Sequence, residues 1–173
     1  MLEFSVPTRP ELLVRQRWMS DPDVMAYNAG WSGSPPGYDP DTGCIAWPES
    51  EWDRFVERLA RPADEQGYFY VRDAATGTLV GDAHYEVGVD GAASIGLMVV
   101  PALRGRGVGE RVLRELVSRI WRDTSATEIV NEFEDERASA VHLHRRCGFA
   151  PDAATRAVWG RPTRTWRLAR PPR

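Results

Sequence analysis

The sequence predicts a mixed α+β domain built on a mostly antiparallel sheet of about seven strands with helices on its faces. Alternating runs at 68–73, 78–87 and 93–100 are separated by the turn signals Ala75-Thr76-Gly77 and Asp90-Gly91, the pattern of an antiparallel meander. A broad apolar stripe of Val112, Leu113, Leu116, Val117, Ile120 and Trp121 then recurs at helical spacing before another apolar run at 128–133. Strand, crossover helix and strand place 93–100 and 128–133 side by side in parallel. Between the first of these strands and the helix stands Arg104-Gly105-Arg106-Gly107-Val108-Gly109, a tight turn stripped of Cβ atoms at alternate positions.

The elements follow in order. Residues 2–6 alternate and read as a first strand. A helix near 11–19 is stopped by Asp21-Pro22, and a short second helix covers 23–27. Residues 29–47 have no periodicity, are rich in Gly, Pro and Asp, and carry Trp31, Tyr38 and Trp47; a loop of this length usually has work beyond connection. Pro48 and the acids after it open a helix to about Leu59 with apolar positions Trp52, Phe55, Val56 and Leu59. After the meander, the long helix and the strand at 128–133, a helix covers 136–146, and two closing strands occupy 149–159 and 163–169.

Length and composition narrow the function. At 173 residues the chain suits one domain, 1–173, burying roughly 70% of the surface its unfolded form exposes. A net charge of −3 argues against a nucleic-acid partner. All 22 basic residues are Arg, so no lysine can take part in the chemistry. Cys44 and Cys147 are far apart and lack metal-ligand spacing, so no metal is expected. There is no signal-like start and no apolar run of membrane length, so the expected partner is neither membrane nor nucleic acid and the expected location is the cytoplasm.

The glycine junction suits a phosphate. Backbone N–H groups can converge on an anion there, the new helix adds its positive dipole end, and Arg104 and Arg106 add forked donors. It is neither a Walker loop, which needs Lys followed by Ser or Thr, nor a dinucleotide fingerprint, because Glu110 stands at the third glycine position.

The stretch Ile95-Gly-Leu-Met-Val-Val-Pro-Ala-Leu-Arg-Gly-Arg-Gly-Val-Gly109 resembles the acyl-CoA-binding motif of the GNAT (GCN5-related) N-acetyltransferases. A second segment, Ala140-Val-His-Leu-His-Arg-Arg-Cys-Gly-Phe149, is similar to that family's helix end Ala-x-x-Leu-Tyr-x-x-x-Gly-Phe. The resemblance covers residues 94–149. It implies a GNAT fold in which the parallel pair splays, acetyl-CoA as co-substrate, a pantetheine arm against Leu97, Met98 and Val99, and the pyrophosphate on Arg104, Gly105, Arg106, Gly107, Val108 and Gly109. It also implies an enzyme that acetylates a primary amine.

Acetyl transfer needs a neutral amine, a donor for the developing oxyanion and a proton for the leaving thiolate. The resemblance places the proton donor at His144, where the family has Tyr. The third-strand position that often carries the base is Ser94 here, so the base must sit elsewhere. Asp82, His84 and Glu86 form an unusual polar stripe on the 78–87 strand, opposite Leu79, Ala83, Tyr85 and Val87, and His84 or Glu86 is the candidate base. Glu132 and Glu134 are weaker candidates. Residues 37–65 carry eight acids against three Arg, so Trp31, Tyr38, Asp39, Asp41, Trp47 and Asp82 are read as lining a pocket for a small cationic amine. An aminoglycoside-type antibiotic, modified by a resistance enzyme, is the specific expectation. Alternatives are a polyamine, a protein N-terminus or a non-catalytic acyl-CoA-binding module. Trp159 and Trp166 suit either a homodimer seam or packing within one chain.

Overall fold

Alternation becomes strand and helical periodicity becomes helix across the computed structural model, which describes residues 1–32 and 35–172. Gly33 and Ser34, in the predicted 29–47 loop, and Arg173 lie outside the described residues. The strands are β1 (Leu2–Ser5), β2 (Gln66–Asp73), β3 (Leu79–Val87), β4 (Ala92–Val99), β5 (Glu128–Glu134), β6 (Ala150–Val158) and β7 (Arg161–Ala169). They form one sheet in the order β1-β2-β3-β4-β5-β7-β6, antiparallel at every junction except β4 and β5.

Helix α4 (Val108–Asp123) crosses one face between β4 and β5, joined there by α5 (Ala138–Arg146). Its stripe is buried, with Val112, Leu113, Leu116 and Ile120 fully covered against Val71, Ala83, Tyr85, Ile95 and Ile129. Each such side chain contributes roughly 1.5–3 kcal/mol of burial. The opposite face carries α1 (Leu12–Met19) and α3 (Trp52–Leu59), joined through α2 (Pro22–Met25) and the long loop. There Leu12, Trp52, Phe55, Tyr68 and Tyr70 form a second core, largely aromatic. The hydroxyl of Tyr70 donates to Glu11 O at 3.0 Å and accepts from Arg15 N at 3.1 Å, which ties α1 to the sheet.

One expectation is corrected here and one open alternative is decided. Leu79 packs with the aromatic core and not beside Ala83 and Tyr85, because the β2–β3 register skips a residue: Val71 faces Gly81 while Arg72 faces Leu79. Val80 consequently turns into the α4 core. Trp166 belongs to no seam: it is 1% exposed and stacked on Phe133 at 5.5 Å, inside the chain. Trp159, by contrast, is 45% exposed at the β6–β7 turn. The helix expected over 48–59 begins as a single 3₁₀ turn, Glu49–Glu51, before α3 proper.

Candidate active site

The neighbours β4 and β5 touch only at their beginnings. Ala92 pairs with Glu128, Ala93 with Ile129 and Ser94 with Val130; from Ile95 onward β4 has no ladder with β5. Each strand keeps its other partner through the gap, since β3 follows β4 to Val99 and β7 follows β5 to Glu134. The result is a wedge through the sheet, bordered by Leu97, Met98 and Val99 on one side and Asn131 to Glu134 on the other. An extended ligand entering it meets a strand edge with unpaired backbone.

At the mouth of the wedge, the turn after β4 runs through a 3₁₀ turn, Pro101–Leu103, into α4. Gly105 and Gly107 adopt φ of +73° and +72°, and no atom lies within 4 Å of where a Cβ would sit on either. Their space opens outward, away from packing. Among the described residues, the amides of 105 to 110 have no backbone acceptor; the first helical bond is Arg111 N–H to Gly107 O at 3.3 Å. Six adjacent N–H groups without backbone acceptors at a helix start are chemically suited to an anion. Gly109 sits where α4 closes on α5 and β4, and a Cβ there would make only ordinary contact with Leu143 at 3.5 Å and Val99 at 3.8 Å. Val108 is buried and anchors the turn, and Arg106 is exposed beside it. Arg104 bends back instead, donating from Nε to Val99 O and from an Nη to Asp23 O, both at 3.0 Å, and so joins the loop to α2.

His144 reaches the wedge from α5. It is 2% exposed, boxed by Phe133, Phe149 and Trp166. Its Nδ1 lies 2.8 Å from Ala140 O, which can only accept, so Nδ1 carries the proton. Nε2 is then the acceptor for Asn131 Nδ2 at 3.0 Å. Burial, outweighing the bond to Ala140, holds the imidazole below its ordinary pKa of 6.5. His144 is thus neutral near pH 7 and linked to the splayed strand through Asn131. Sequence reading missed Asn131, since a lone Asn in a strand carries no motif. His142, on the same helix, is exposed.

Across the wedge, the register sets Asp82 beside Met98, His84 beside Gly96 and Glu86 beside Ser94. His84 therefore flanks the first unpaired stretch of β4, while Glu86 lies where pairing ends. The His84 ring stacks on Tyr68 at 5.9 Å and lies over Gly96, where a Cβ would come within 2.4 Å of it. The residue is exposed, but these neighbours desolvate it enough to lower its pKa, outweighing the attraction of Asp82. A neutral imidazole with an accessible edge results. Asp82 itself is 7% exposed and accepts a 2.5 Å bond from Tyr68 Oη, whose own proton is held well above the ordinary range, first by burial and next by Asp82.

The predicted aromatic and acidic pocket residues divide into separate groups. Trp31 stacks on Trp159 at 6.3 Å and donates from Nε1 to Glu134 Oε1 at 3.3 Å, closing over the open end of β5. Tyr38 supports that loop from within, donating to Asn28 O at 2.6 Å and accepting from Trp31 N at 2.8 Å. Asp39 closes its own turn on Thr42 Oγ1 at 2.6 Å and Asp41 N at 2.9 Å, and the Thr42 hydroxyl holds it below the usual carboxylate range. Asp41 is exposed. Trp47 packs in the other core against Phe55 and Trp52. Glu132 pairs with Arg156 and accepts from Thr165 at 2.8 Å.

The family model described as an acetyltransferase (GNAT) domain matches residues 7–150. Among solved structures, the spermidine N-acetyltransferase of Vibrio cholerae in complex with CoA and spermine superposes with a TM-score of 0.75 at 16% identity, covering 97% of this chain and 95% of that one. The aminoglycoside acetyltransferase AAC(6')-Ib in complex with coenzyme A gives 0.72 at 16% identity, over 98% and 95%. Comparison with curated protein sequences finds no match. Among the described residues, no helix is long and apolar enough to cross a membrane.

Proposed function

Since the chain belongs to the GNAT acetyltransferases, we propose that it transfers the acetyl group of acetyl-CoA to a primary amine of a small molecule. The observation that carries this is the divergence of β4 from β5 after Ser94, in line with a cradle of free amides at residues 105–110. The amides and Arg106 bind the diphosphate, and the unpaired edge of Leu97 to Val99 receives the pantetheine arm as an added strand. Bound there, acetyl-CoA supplies an activated acyl group on a thiol leaving group. A backbone N–H of the same edge is the donor for the developing oxyanion.

His84 is the base in this reading. Its lowered pKa keeps it unprotonated, its edge is accessible, and it borders the unpaired part of β4. Glu86 stands two residues further down the same face and helps to attract an ammonium group. His144 is the candidate proton donor, and because its one proton is held on Nδ1 by Ala140 O, Nε2, the nitrogen facing β5 through Asn131, must first take up a proton before it can pass one to the leaving thiolate. Tyr27, Trp31 and Trp159 close the acceptor side of the wedge.

Amino sugars of the aminoglycoside type and polyamines head the acceptor panel, because the fold relatives include enzymes of both kinds. The acids expected to form a cationic-amine pocket are dispersed: Asp39 is spent on its own turn and Asp53 on Arg9 at 2.7 Å. Thiol release from acetyl-CoA across amino sugars, polyamines, peptides and amino acids tests the reading. Amine-dependent release that falls at least tenfold in His84→Gln supports it, and acetyl-CoA binding without release for any amine would reduce the protein to a binding module.

A further inference from the structure

A cavity of about 660 Å³ lies between α3 and the β2–β3 face. Its wall includes Arg15, Arg54, Arg58 and Arg61 with the rings of Trp47 and Phe55, and its floor reaches Glu86. Arg54 and Arg58 are four apart and Arg61 three further on, so three guanidinium groups share one face of α3 and the turn after it. Like charges at these spacings oppose one another on a helix.

Arg15 completes the row from α1. Its guanidinium sits 5.3 Å from the Trp47 ring, 5.0 Å from Phe55 and 5.2 Å from Tyr68, and an Nη donates to Tyr68 Oη at 2.9 Å. Asp82 lies 3.7 Å away, yet Arg15 Nε is buried without a hydrogen-bond partner among the described residues. Arg54, Arg58 and Arg61 make no ion pair within the described residues, although Glu51 and Glu57 share the same wall. Burial and then the charge of Arg15 lower the Arg58 pKa, so the crowding of positive groups is felt. Glu86 lines the cavity from β3, and His84 precedes it by two residues on the same face of that strand, about 7 Å away.

We infer that the acceptor is a zwitterion, its carboxylate received by the Arg15, Arg54, Arg58 and Arg61 row and its amine delivered toward His84 and Glu86 at the start of the wedge. The inference rests on the acetyl-transfer reading and adds the substrate's anionic end. Forked donors match carboxylate geometry, and two charge-assisted bonds favour an acid over its neutral amide by roughly tenfold or more.

Free amino acids compared with their carboxamides test it, in wild type and in the double variant Arg58→Gln/Arg61→Gln. The wild-type enzyme is expected to show kcat/KM at least tenfold higher for the acids, through KM, and the double variant to bring that ratio close to one while binding acetyl-CoA with unchanged Kd. A wild-type ratio near one, or a ratio that survives the double substitution, overturns the inference. If no amine of any kind is acetylated, transfer fails on its own account, and calorimetry with the same amino acids in the presence of CoA decides the site. Heat lost in the double variant supports it, and no heat with wild type overturns it.

Discussion

His84 and His144 are both held below the ordinary imidazole pKa by desolvation, yet they differ in access. His84 keeps an exposed edge; His144 is sealed by three aromatic rings and bonded at both nitrogens. One consequence concerns acid. Below the ordinary value of 6.5 the unfolded chain takes up protons that the folded chain refuses, so stability is full above that pH and declines as pH falls beneath it. The urea midpoint is expected to drop between pH 7.5 and 5.5, with a shallower drop in His144→Gln; an unchanged slope in that variant would remove His144 from the account. A second consequence concerns Gly96. In Gly96→Ala the new Cβ would lie 2.4 Å from His84 Cε1 and 2.6 Å from Nε2, so the ring must swing off β4. The expected result is a fall in kcat of about tenfold, with acetyl-CoA affinity retained and no further loss when His84→Gln is added. Additive losses would show that the two residues act separately. Nothing local marks Gly96 as special, because its need for a missing side chain is created by a residue twelve positions earlier, on the adjacent strand.

At the scale of elements, the turn into α4 works through backbone shape. Gly107 sits at φ +72° with open space where a Cβ would go, so Gly107→Ala brings no clash but a left-handed backbone penalty of about 1 kcal/mol. If that penalty is relieved by rotating the amides out of line, acetyl-CoA should bind several-fold more weakly by calorimetry with little change in thermal midpoint. Equal affinity in the variant would mean that the amides do not grip the diphosphate. This element was legible in sequence because the spacing of three glycines between strand and helix is itself the device. The packing of the 29–47 loop was not. Trp31 and Trp47 stand close in sequence, but Trp31 stacks on Trp159 while Trp47 joins Phe55 and Trp52. Aromatic content foretold packing in both places and could not tell which packing faces a cavity.

At the scale of the whole molecule, the loop at 29–32 and the β6–β7 turn, far apart in sequence, meet over the open end of β5. Ser32 N donates to Trp159 O at 2.9 Å, Arg161 donates to Ala29 O at 3.3 Å, and Glu134, its side chain 4% exposed, receives Trp31 Nε1 and lies 3.5 Å from Arg161. Arg161 and Arg137 beside it are more than a third exposed and can turn to water. Glu134→Ala should therefore cost about 2 kcal/mol in chemical denaturation, below the ~3–5 kcal/mol of a fully buried pair. It should also raise the acceptor KM while sparing acetyl-CoA affinity; a KM for the acceptor that does not move would separate this clasp from the site. By itself the sequence determined the antiparallel meander, the parallel pair, the α4 stripe and the tight glycine turn into α4, because each is written in local periodicity or in glycine spacing. Only tertiary structure decided where β4 and β5 part, which imidazole stays exposed, and that Arg15 from α1 lines up with three arginines of α3 and its following turn. Those outcomes depend on pairings between residues distant in the chain, and no local pattern records which partners a side chain will find.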